Sequence, residues 1–301
     1  QQTLFLSGVL DQGYWPESGM TPPSEEAIMS DLLFLKKCGF NLVRKHATVE
    51  PLRWYSACDR LGLLALQDFV NGGSRYSSLL IHTRPLFHFD MSDTDYKKLG
   101  RLLEQSRNQF HLDFKSTIER LYNVPSVFGW TIFNEGWGQF DSALITDEVR
   151  SLDPTRLLDS TSGWYDKKVG DFKSEHIYFW TFLNLKNDHQ RILSLTEFGG
   201  YSLKVEHHVY STRSFGYRYY SSFNGFNEAV SRLYRKRIIS NIKRRGLAMA
   251  VYTQLSDVEE EQNGLVTFDR KIVKINVATI RALNLLAAET FYNKTKDFAQ
   301  E

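Results

Sequence analysis

The sequence predicts a (β/α)8 TIM barrel, in which parallel strands alternate with helices around a single core. Short apolar runs alternate with helical patterns eight times along the chain. The length of 301 residues suits such a barrel, which typically needs roughly 250 residues. A doubly wound open sheet, the main alternative, would need a Gly-rich phosphate loop after the first strand, and the sequence has none there. We therefore interpret residues 1–301 as one barrel domain.

The predicted strands are short runs of aliphatic, β-branched and aromatic residues, as is typical of parallel strands buried on both faces. The fourth is the clearest, because its apolar run ends abruptly in Asn134 and Glu135. The fifth and sixth are the weakest, since the helix between them is hard to see. In chain order, strands are predicted at Leu4–Leu10, Asn41–Arg44, Leu63–Leu66, Val127–Phe133, Arg156–Ser160, Glu175–Tyr178, Ile192–Leu195 and Leu247–Thr253.

Capping residues and helical spacing place the helices between these strands. Ser24 is a typical N-cap, and Gly39 ends the helix that follows it. In the same way, Pro51 opens the next helix and Gly62 closes it. Further helices are predicted around 99–121, 141–152, 227–245 and 277–283, and long loops rich in aromatic residues at 71–92 and 200–224. A loop of that length in a compact fold is usually functional or disordered.

Composition excludes several classes of protein. The net charge of +2 predicts no nucleic-acid or membrane partner. The basic residues of the 227–245 helix interleave with apolar ones, so they read as the solvated face of an amphipathic helix. Cys38 and Cys58 form no disulfide framework, and we expect two reduced, packed thiols.

Targeting signals are absent from the sequence. No run is long enough for a transmembrane helix, and no signal peptide precedes the first strand, which predicts a cytoplasmic location. The first strand begins within a few residues of Gln1, so we expect this barrel to be excised from a longer chain. The oligomeric state stays open, with a homo-oligomer as one option.

The candidate site lies where the predicted strands end, because active sites of such barrels form at the carboxyl ends of the strands. Glu135 ends the fourth strand and Glu197 the seventh, so both carboxylates should reach the same rim. Two facing carboxylates suit glycoside hydrolysis, with retention or inversion depending on their separation. Other candidates for substrate contacts at or near the strand ends are Arg44, His46, Asp68, Asn134, Trp137, His176, Tyr178 and Trp180.

Several motifs carry a resemblance to a known family. The run Asn41–His46, followed by Tyr55 and Leu61–Leu63, is similar to the catalytic barrel of glycoside hydrolase family 2. Thr196–Gly199 resembles the nucleophile motif of that family, and Asn134-Glu135 follows the pattern of its acid/base. The family contains β-galactosidases, β-glucuronidases and β-mannosidases. The resemblance implies a retaining exo-β-glycosidase that acts on a carbohydrate and requires no cofactor or metal.

The resemblance also implies roles for individual residues. Glu135 would be the general acid/base and Glu197 the nucleophile. Asn134 would hydrogen-bond the sugar 2-hydroxyl, and Tyr178 would orient Glu197. Arg44 and His46 would form the floor of the sugar site. His176 would support the sugar or the acid, and Asp68 would make a polar contact. From chemistry alone, Trp137 should raise the pKa of Glu135 beside it.

The sequence departs from the family in ways that keep alternatives open. The family usually has a Trp after the eighth strand, where this chain reads Tyr252–Leu255, and Trp137 or Trp180 is the candidate replacement. We expect the β-sandwich domains that normally precede the barrel to lie outside this sequence, in the longer chain. A non-catalytic carbohydrate-binding barrel, or a domain inactive without those sandwiches, is therefore the alternative. A metal-dependent hydrolase is a further alternative, although the histidines show no metal-ligand spacing. No Asn-Lys pair typical of glucuronidases is present, which favours a galactoside weakly.

Overall fold

The computed structural model describes residues 3–75, 90–178 and 185–298. Its strands are β1 (Leu6–Asp11), β2 (Leu42–Lys45), β3 (Leu64–Asp68), β4 (Val127–Asn134), β5 (Leu157–Ser162), β6 (Phe172–Ile177), β7 (Ile192–Gly199), β8 (Tyr201–Leu203), β9 (Arg218–Tyr220) and β10 (Met249–Thr253). Its helices are α1 (Glu25–Lys37), α2 (Leu52–Leu61), α3 (Glu104–Leu121), α4 (Ser142–Leu152), α5 (Phe223–Leu233), α6 (Ile239–Arg245) and α7 (Val277–Phe298), with a π-helical turn (Tyr234–Ile238) between α5 and α6.

Eight of the strands form one sheet in the order β5-β4-β3-β2-β1-β10-β7-β6. Every neighbouring pair in this order is parallel. The sheet curls until its two outer strands meet, where the Ser174 hydroxyl of β6 donates to Asp159 Oδ1 of β5 at 2.6 Å. The predicted (β/α)8 TIM barrel is confirmed. The eighth strand of the barrel is β10, because β8 and β9 form a separate two-stranded sheet.

The alternation of strands and helices is less regular than predicted. No helix lies between β5 and β6, although every residue of that connection is among those described. Two glycines explain this, since Gly163 and Gly170 both have a φ of 82°, a left-handed conformation that ends rather than extends a helix. The expected eightfold alternation is therefore wrong for this unit.

Side-chain alternation along the strands divides the barrel interior into an apolar and a polar layer. Leu42 of β2 and Leu66 of β3 belong to a buried apolar cluster with residues of β1, β6 and β10. Side chains two positions apart in a strand share a face, so Arg44 points the same way as Leu42, and Asp68 as Leu66. Both polar residues are buried. The apolar layer thus supports a polar layer at the carboxyl ends of the strands.

The outer faces of the strands pack against the helices. Trp130 of β4 is buried, and its ring stacks on Phe69 with centroids 5.5 Å apart. Phe110 of α3 stacks on Phe133 of β4 at 5.2 Å. The start of α1 follows its predicted cap, because Ser24 Oγ accepts a hydrogen bond from the Ala27 amide at 3.1 Å. The two ring stacks pack β4, which ends in Asn134, against Phe69 and α3.

Several details of the elements differ from the sequence prediction. The seventh barrel strand, β7, runs on to Gly199, so Glu197 lies inside the strand rather than beyond its end. The sixth starts earlier, at Phe172. The predicted thiols, Cys38 and Cys58, are buried and unpaired. Among the described residues, none of the helices combines the length and apolar character that crossing a membrane requires.

Candidate active site

Two glutamates face each other across the barrel rim, one after β4 and one on β7. Glu135 follows β4 directly, with a φ of 53° that non-glycine residues rarely adopt, and its amide donates to Ser162 O at 3.0 Å. Glu197 points inward from β7. One oxygen of Glu135, one oxygen of Glu197 and a ring nitrogen of His176 all lie within 4.8 Å of one another. With this left-handed backbone, the carboxyl group of Glu135 lies beside His176 and Glu197.

Arg44 ties the floor of this site together. Its guanidinium is fully buried and binds Asp68 through two nitrogens, at 3.1 and 2.9 Å. Nη1 lies 3.1 Å from Glu197 Oε1, and Nη2 lies 2.8 Å from Asn134 Oδ1. Burial opposes the charge of Arg44, but the carboxylates of Asp68 and Glu197 hold its pKa above the usual value. Arg44 therefore fixes one oxygen of Glu197 as an ionic hydrogen-bond acceptor.

Tyr178 holds the other oxygen of the same carboxylate. Its hydroxyl donates a hydrogen bond to Glu197 Oε2 and lies 3.3 Å from Thr253 Oγ1 on β10. Burial, and then the charge of Glu197, raises the pKa of Tyr178 well above its usual value, so the hydroxyl keeps its proton. The ring stacks face to face on Tyr217, with centroids 3.7 Å apart. Both oxygens of Glu197 thus accept hydrogen bonds from groups that are themselves fixed.

His176 links the two glutamates. Its Nδ1 lies 2.9 Å from Glu135 Oε1 and 3.7 Å from Glu197 Oε2. Burial lowers the pKa of His176 to about 4, so the ring is neutral at neutral pH. On the other side, Nε2 lies 3.1 Å from the hydroxyl of Ser162, which donates onward to Thr196. Arg44 Nη1, which can only donate, lies 3.4 Å from the same Nε2, so Nε2 is an acceptor and the neutral ring presents Nδ1–H to Glu135 Oε1.

Glu135 has the environment of an acid that is protonated near neutral pH. Burial raises its pKa to about 7, against the opposing charges of His46 and Arg44. The side chain is still 27% exposed, so it faces the mouth of the barrel. The sequence attributed this shift to Trp137. In the structure Trp137 is 45% exposed, and burial of the Glu135 carboxyl group is the largest cause of the shift.

His46 and Trp180 are two further candidates that the sequence predicts. His46 is half-buried, and its Nε2 has no hydrogen-bond partner among the described residues. It is close enough to Glu135 and His176 for its charge to affect the pKa of both. Trp180 lies outside the residues that the structure describes. The aromatic and histidine residues of the first long loop between 76 and 89 lie outside them as well.

Within the described ranges, one group of His, Cys, Asp or Glu side chains is close enough together to hold a metal ion. It consists of Glu135, His176 and Glu197. The donor set fits a cation poorly. Arg44 already places a positive charge 3.1 Å from one oxygen of Glu197, and Tyr178 occupies the other. A metal ion that bound both oxygens of Glu197 would have to displace Arg44 and Tyr178.

The sequence missed a third carboxylate at this rim. Residues 257–261 resemble a solvated acidic turn in the sequence. Of the four carboxylate side chains in this segment, however, only that of Glu259 is exposed. Asp257 is buried, with Lys274 Nζ 2.5 Å from its Oδ1. Glu261 accepts from Gln254 Nε2 at 2.8 Å. Its pKa is raised to about 7, first by burial and then by Glu197 and Glu135. Gln254 and Asp257, which follow the predicted eighth strand, are the polar residues that mark this region in the sequence.

Comparison with known sequences places this chain in a family. A family model described as "Glycosyl hydrolases family 2, TIM barrel domain" matches residues 4–195. A β-galactosidase of Leuconostoc mesenteroides is 26% identical over 171 residues, which cover 56% of this chain and 15% of that protein.

Comparison with solved structures gives the same fold. A GH2 β-galacturonidase from Eisenbergiella tayi, bound to galacturonate, has a TM-score of 0.67 at 17% identity, covering 95% of this chain and 51% of that one. A β-glucuronidase of Parabacteroides merdae has a TM-score of 0.65 at 16% identity, covering 95% and 37%. At these identities the likeness shows the fold alone, and the chain spans about half of such relatives or less. With the family match over 4–195, it follows that this chain belongs to glycosyl hydrolases family 2 and carries the TIM barrel domain of that family.

Proposed function

We propose that this barrel is the catalytic domain of a retaining exo-β-glycosidase, which removes terminal β-linked sugars by double displacement. The carrying observation is the separation of the two carboxylates, whose nearest oxygens lie within 4.8 Å. Retaining enzymes hold their carboxyl groups roughly 5–5.5 Å apart, whereas inverting enzymes leave roughly 6.5–9.5 Å for a water molecule. The short separation supports direct attack by one glutamate on the sugar.

In the first step, Glu135 is the acid and Glu197 the nucleophile. Glu135 gives its proton to the glycosidic oxygen as the bond to the anomeric carbon breaks and the leaving alcohol departs. An oxygen of Glu197 donates an electron pair to the same carbon and forms a covalent glycosyl ester. The raised pKa of Glu135 suits the acid, since about half of these groups are still protonated at pH 7. The hydrogen bonds from Arg44 and Tyr178 support Glu197 as the ionised partner.

In the second step, Glu135 acts as the base. Its carboxylate takes a proton from water while the water oxygen attacks the anomeric carbon, and the bond to Glu197 breaks. The sugar leaves with its original configuration, Glu197 is again a carboxylate and Glu135 is again protonated. His176 supports both states of Glu135, because its neutral ring donates Nδ1–H to Oε1 and leaves the other oxygen of Glu135 to carry the proton.

Other side chains of the site would bind the sugar. Asn134 Oδ1 faces Arg44 at 2.8 Å, so the amide nitrogen is the end left to meet a sugar hydroxyl. His46 offers a buried ring nitrogen without a protein partner among the described residues. Asp68 acts through Arg44. Trp137 and Trp180 are proposed as aromatic contacts with the sugar or its leaving group.

The sugar is proposed to be a β-galactoside. The relative from Leuconostoc mesenteroides is a β-galactosidase, although it shares 26% identity over a region that covers only 15% of its own length. The uronidases among the structural neighbours share 17% identity or less in the two cases described, which supports the fold rather than their substrate.

Covalent trapping tests the proposal. A 2-deoxy-2-fluoro-β-galactoside with a good leaving group should label the protein once, and peptide mass spectrometry should find the sugar on Glu197. The matched control is the Glu197→Gln variant, which should stay unlabelled. A non-catalytic sugar-binding barrel would bind the reagent without gaining its mass, and that result would contradict the proposal.

A further inference from the structure

Glu261 is a third carboxylate beside the proposed catalytic pair, on the connection that follows β10. It is half-buried, and its Oε2 accepts hydrogen bonds from Gln254 Nε2 at 2.8 Å and from Asn263 Nδ2 at 3.4 Å. Within the described part of the chain, no hydrogen bond reaches its Oε1. One oxygen of Glu261 is therefore held and the other is left as an acceptor.

The side chain that holds Glu261 is itself fixed. Gln254 is 1% exposed, and its Oε1 accepts from Gln12 Nε2 at 2.9 Å, on the loop after β1. Its Nε2 also donates to Asn263 Oδ1 at 2.8 Å, and its backbone amide donates to Asn263 O at 3.2 Å. With every polar end of Gln254 bound, this amide defines where Glu261 can point.

A chain of contacts places Glu261 on the wall of the same cleft. Gln254 follows Thr253, whose Oγ1 lies 3.3 Å from the Tyr178 hydroxyl that binds Glu197. Tyr178 stacks on Tyr217, and the charges of Glu135, Glu197 and Glu261 all raise the pKa of Tyr217, with burial as the largest cause. Glu197 and Glu135 in turn raise the pKa of Glu261. The three carboxylates thus share one electrostatic environment.

The cations near this wall already have acidic partners. Arg44 binds Asp68 and Glu197. Lys45 lies 3.1 Å from Asp11 and 2.5 Å from Glu50, and all three of these side chains are buried. On the connection after β10, Lys274 is buried against Asp257. Among the described residues, each of these cations is thus already matched by a carboxylate, and the rim around Glu261 is rich in negative charge.

We propose that Glu261 is a specificity-determining residue, which accepts a hydrogen bond from a hydroxyl of the bound sugar through Oε1 and excludes sugars that carry a carboxylate. This inference rests on the proposed glycosidase function and deepens it, since it names neutral hexosides as the substrate class. A like charge in a cleft of low dielectric disfavours a uronic acid, and a site that accepts a hydroxyl hydrogen bond rejects a ligand that cannot give one. The proposal sets this chain apart from the uronidases that share its fold.

The test compares two pairs of probes that differ only at C6. Rates with 4-nitrophenyl β-D-galactoside and 4-nitrophenyl β-D-galacturonide are measured above pH 7, where Glu261 is mostly ionised. The wild-type protein should prefer the galactoside. Glu261→Gln should lower kcat/KM for the galactoside and raise it for the galacturonide, so that the preference narrows on the order of 10- to 100-fold. Glu259→Gln, an exposed carboxylate on the same turn, is the matched control and should leave the preference unchanged.

A binding arm separates this inference from the proposed function. Free D-galactose and D-galacturonate are titrated into the wild-type protein and Glu261→Gln by calorimetry, which needs no turnover. The inference is supported if the wild-type protein binds galactose more tightly than galacturonate and Glu261→Gln reduces that difference. This holds even if no glycoside is hydrolysed, in which case only the catalytic proposal fails. Equal binding of both sugars, preference for galacturonate, no binding of either, or the same narrowing in Glu259→Gln would overturn the role of Glu261.

Discussion

The guanidinium of Arg44 bridges Asp68 and Glu197, with Nη1 lying 3.1 Å from Glu197 Oε1 in a fully buried position. Arg44 therefore contributes both to the stability of the barrel and to the proposed catalytic site. The cation that compensates a buried carboxylate of β3 also fixes the proposed nucleophile of β7. A change at Arg44 should therefore affect both properties.

Arg44→Ala should destabilise the fold strongly. Removing one partner of a buried ion pair leaves the other charge uncompensated, which typically costs about 3–5 kcal/mol. We expect the free energy of unfolding, measured by urea denaturation, to fall by about that amount. Lys98→Ala removes an exposed pair with Asp95 and should cost no more than about 1 kcal/mol. Equal losses in the two variants would show that the buried network does not hold the barrel together.

The proposed acid predicts the alkaline limb of the pH–rate profile. The pKa of Glu135 is raised to about 7, so the protonated fraction needed for the first step falls as the pH rises through that value. For a β-galactoside with a poor leaving group, kcat/KM should decline about tenfold per pH unit well above 7. A profile that stays flat to about pH 9 would remove Glu135 from the role of acid.

The same shift predicts how stability depends on pH. The folded-state pKa of Glu135 lies above its ordinary value of 4.5, so proton binding favours the folded state. That contribution is complete below about pH 4.5 and is lost as the pH rises through about 7. Glu135→Gln, which is always neutral, should therefore be more stable than wild type at about pH 8.5, by on the order of 2 kcal/mol after allowance for partial exposure.

Urea denaturation at two pH values checks the stability effect of Glu135→Gln. The gain should shrink to about zero near pH 4.5, where wild-type Glu135 is protonated. Glu119→Gln, on the exposed face of α3, should change the free energy of unfolding by less than about 0.5 kcal/mol at either pH. A gain that is the same at both pH values would mean that burial does not raise the pKa of Glu135.

Azide should rescue a variant without the nucleophile. Glu197→Gly should lose hydrolysis of 4-nitrophenyl β-galactoside, because no covalent ester forms. Azide can enter the space of the missing carboxylate and attack the anomeric carbon once, which inverts it and yields the α-galactosyl azide. Product analysis by NMR checks this outcome. Normal turnover by the variant without azide would show that another group is the nucleophile.

Glu135→Ala should lose activity to an extent that depends on the leaving group of the substrate. The loss of the acid should matter least for substrates whose leaving group departs without protonation, so the loss of rate should be smallest with 2,4-dinitrophenyl β-galactoside and largest with an alkyl β-galactoside. Rates over a series of leaving groups test this. An equal loss across the series would indicate that Glu135 does not protonate the leaving oxygen.

Much of the barrel was predictable because its signals are local. An apolar run that ends in a carboxylate marks both β4 and β7, and alternation along a strand is enough to turn Arg44 and Asp68 inward with Leu42 and Leu66. Ser24 and Gly62 mark helix ends through short-range hydrogen bonding and a left-handed φ of 63° at Gly62. Each of these features depends only on residues a few positions apart.

The features that were missed depend on distant parts of the chain. Glu261 turns into the cleft because Gln254 and Asn263 hold it, and nothing in its immediate sequence distinguishes it from the exposed Glu259. Tyr217 reaches the site by stacking on Tyr178, 39 positions earlier in the numbering (217 − 178). The π-helical turn in the basic helix was likewise not predicted from the sequence.

The stereochemistry of the first product tests the central claim most directly. Hydrolysis of 4-nitrophenyl β-galactoside is followed by proton NMR before the released sugar equilibrates. Two carboxylates whose oxygens lie within 4.8 Å predict that β-galactose appears first. If α-galactose appears first, water rather than Glu197 attacks the substrate, and the double-displacement account is contradicted.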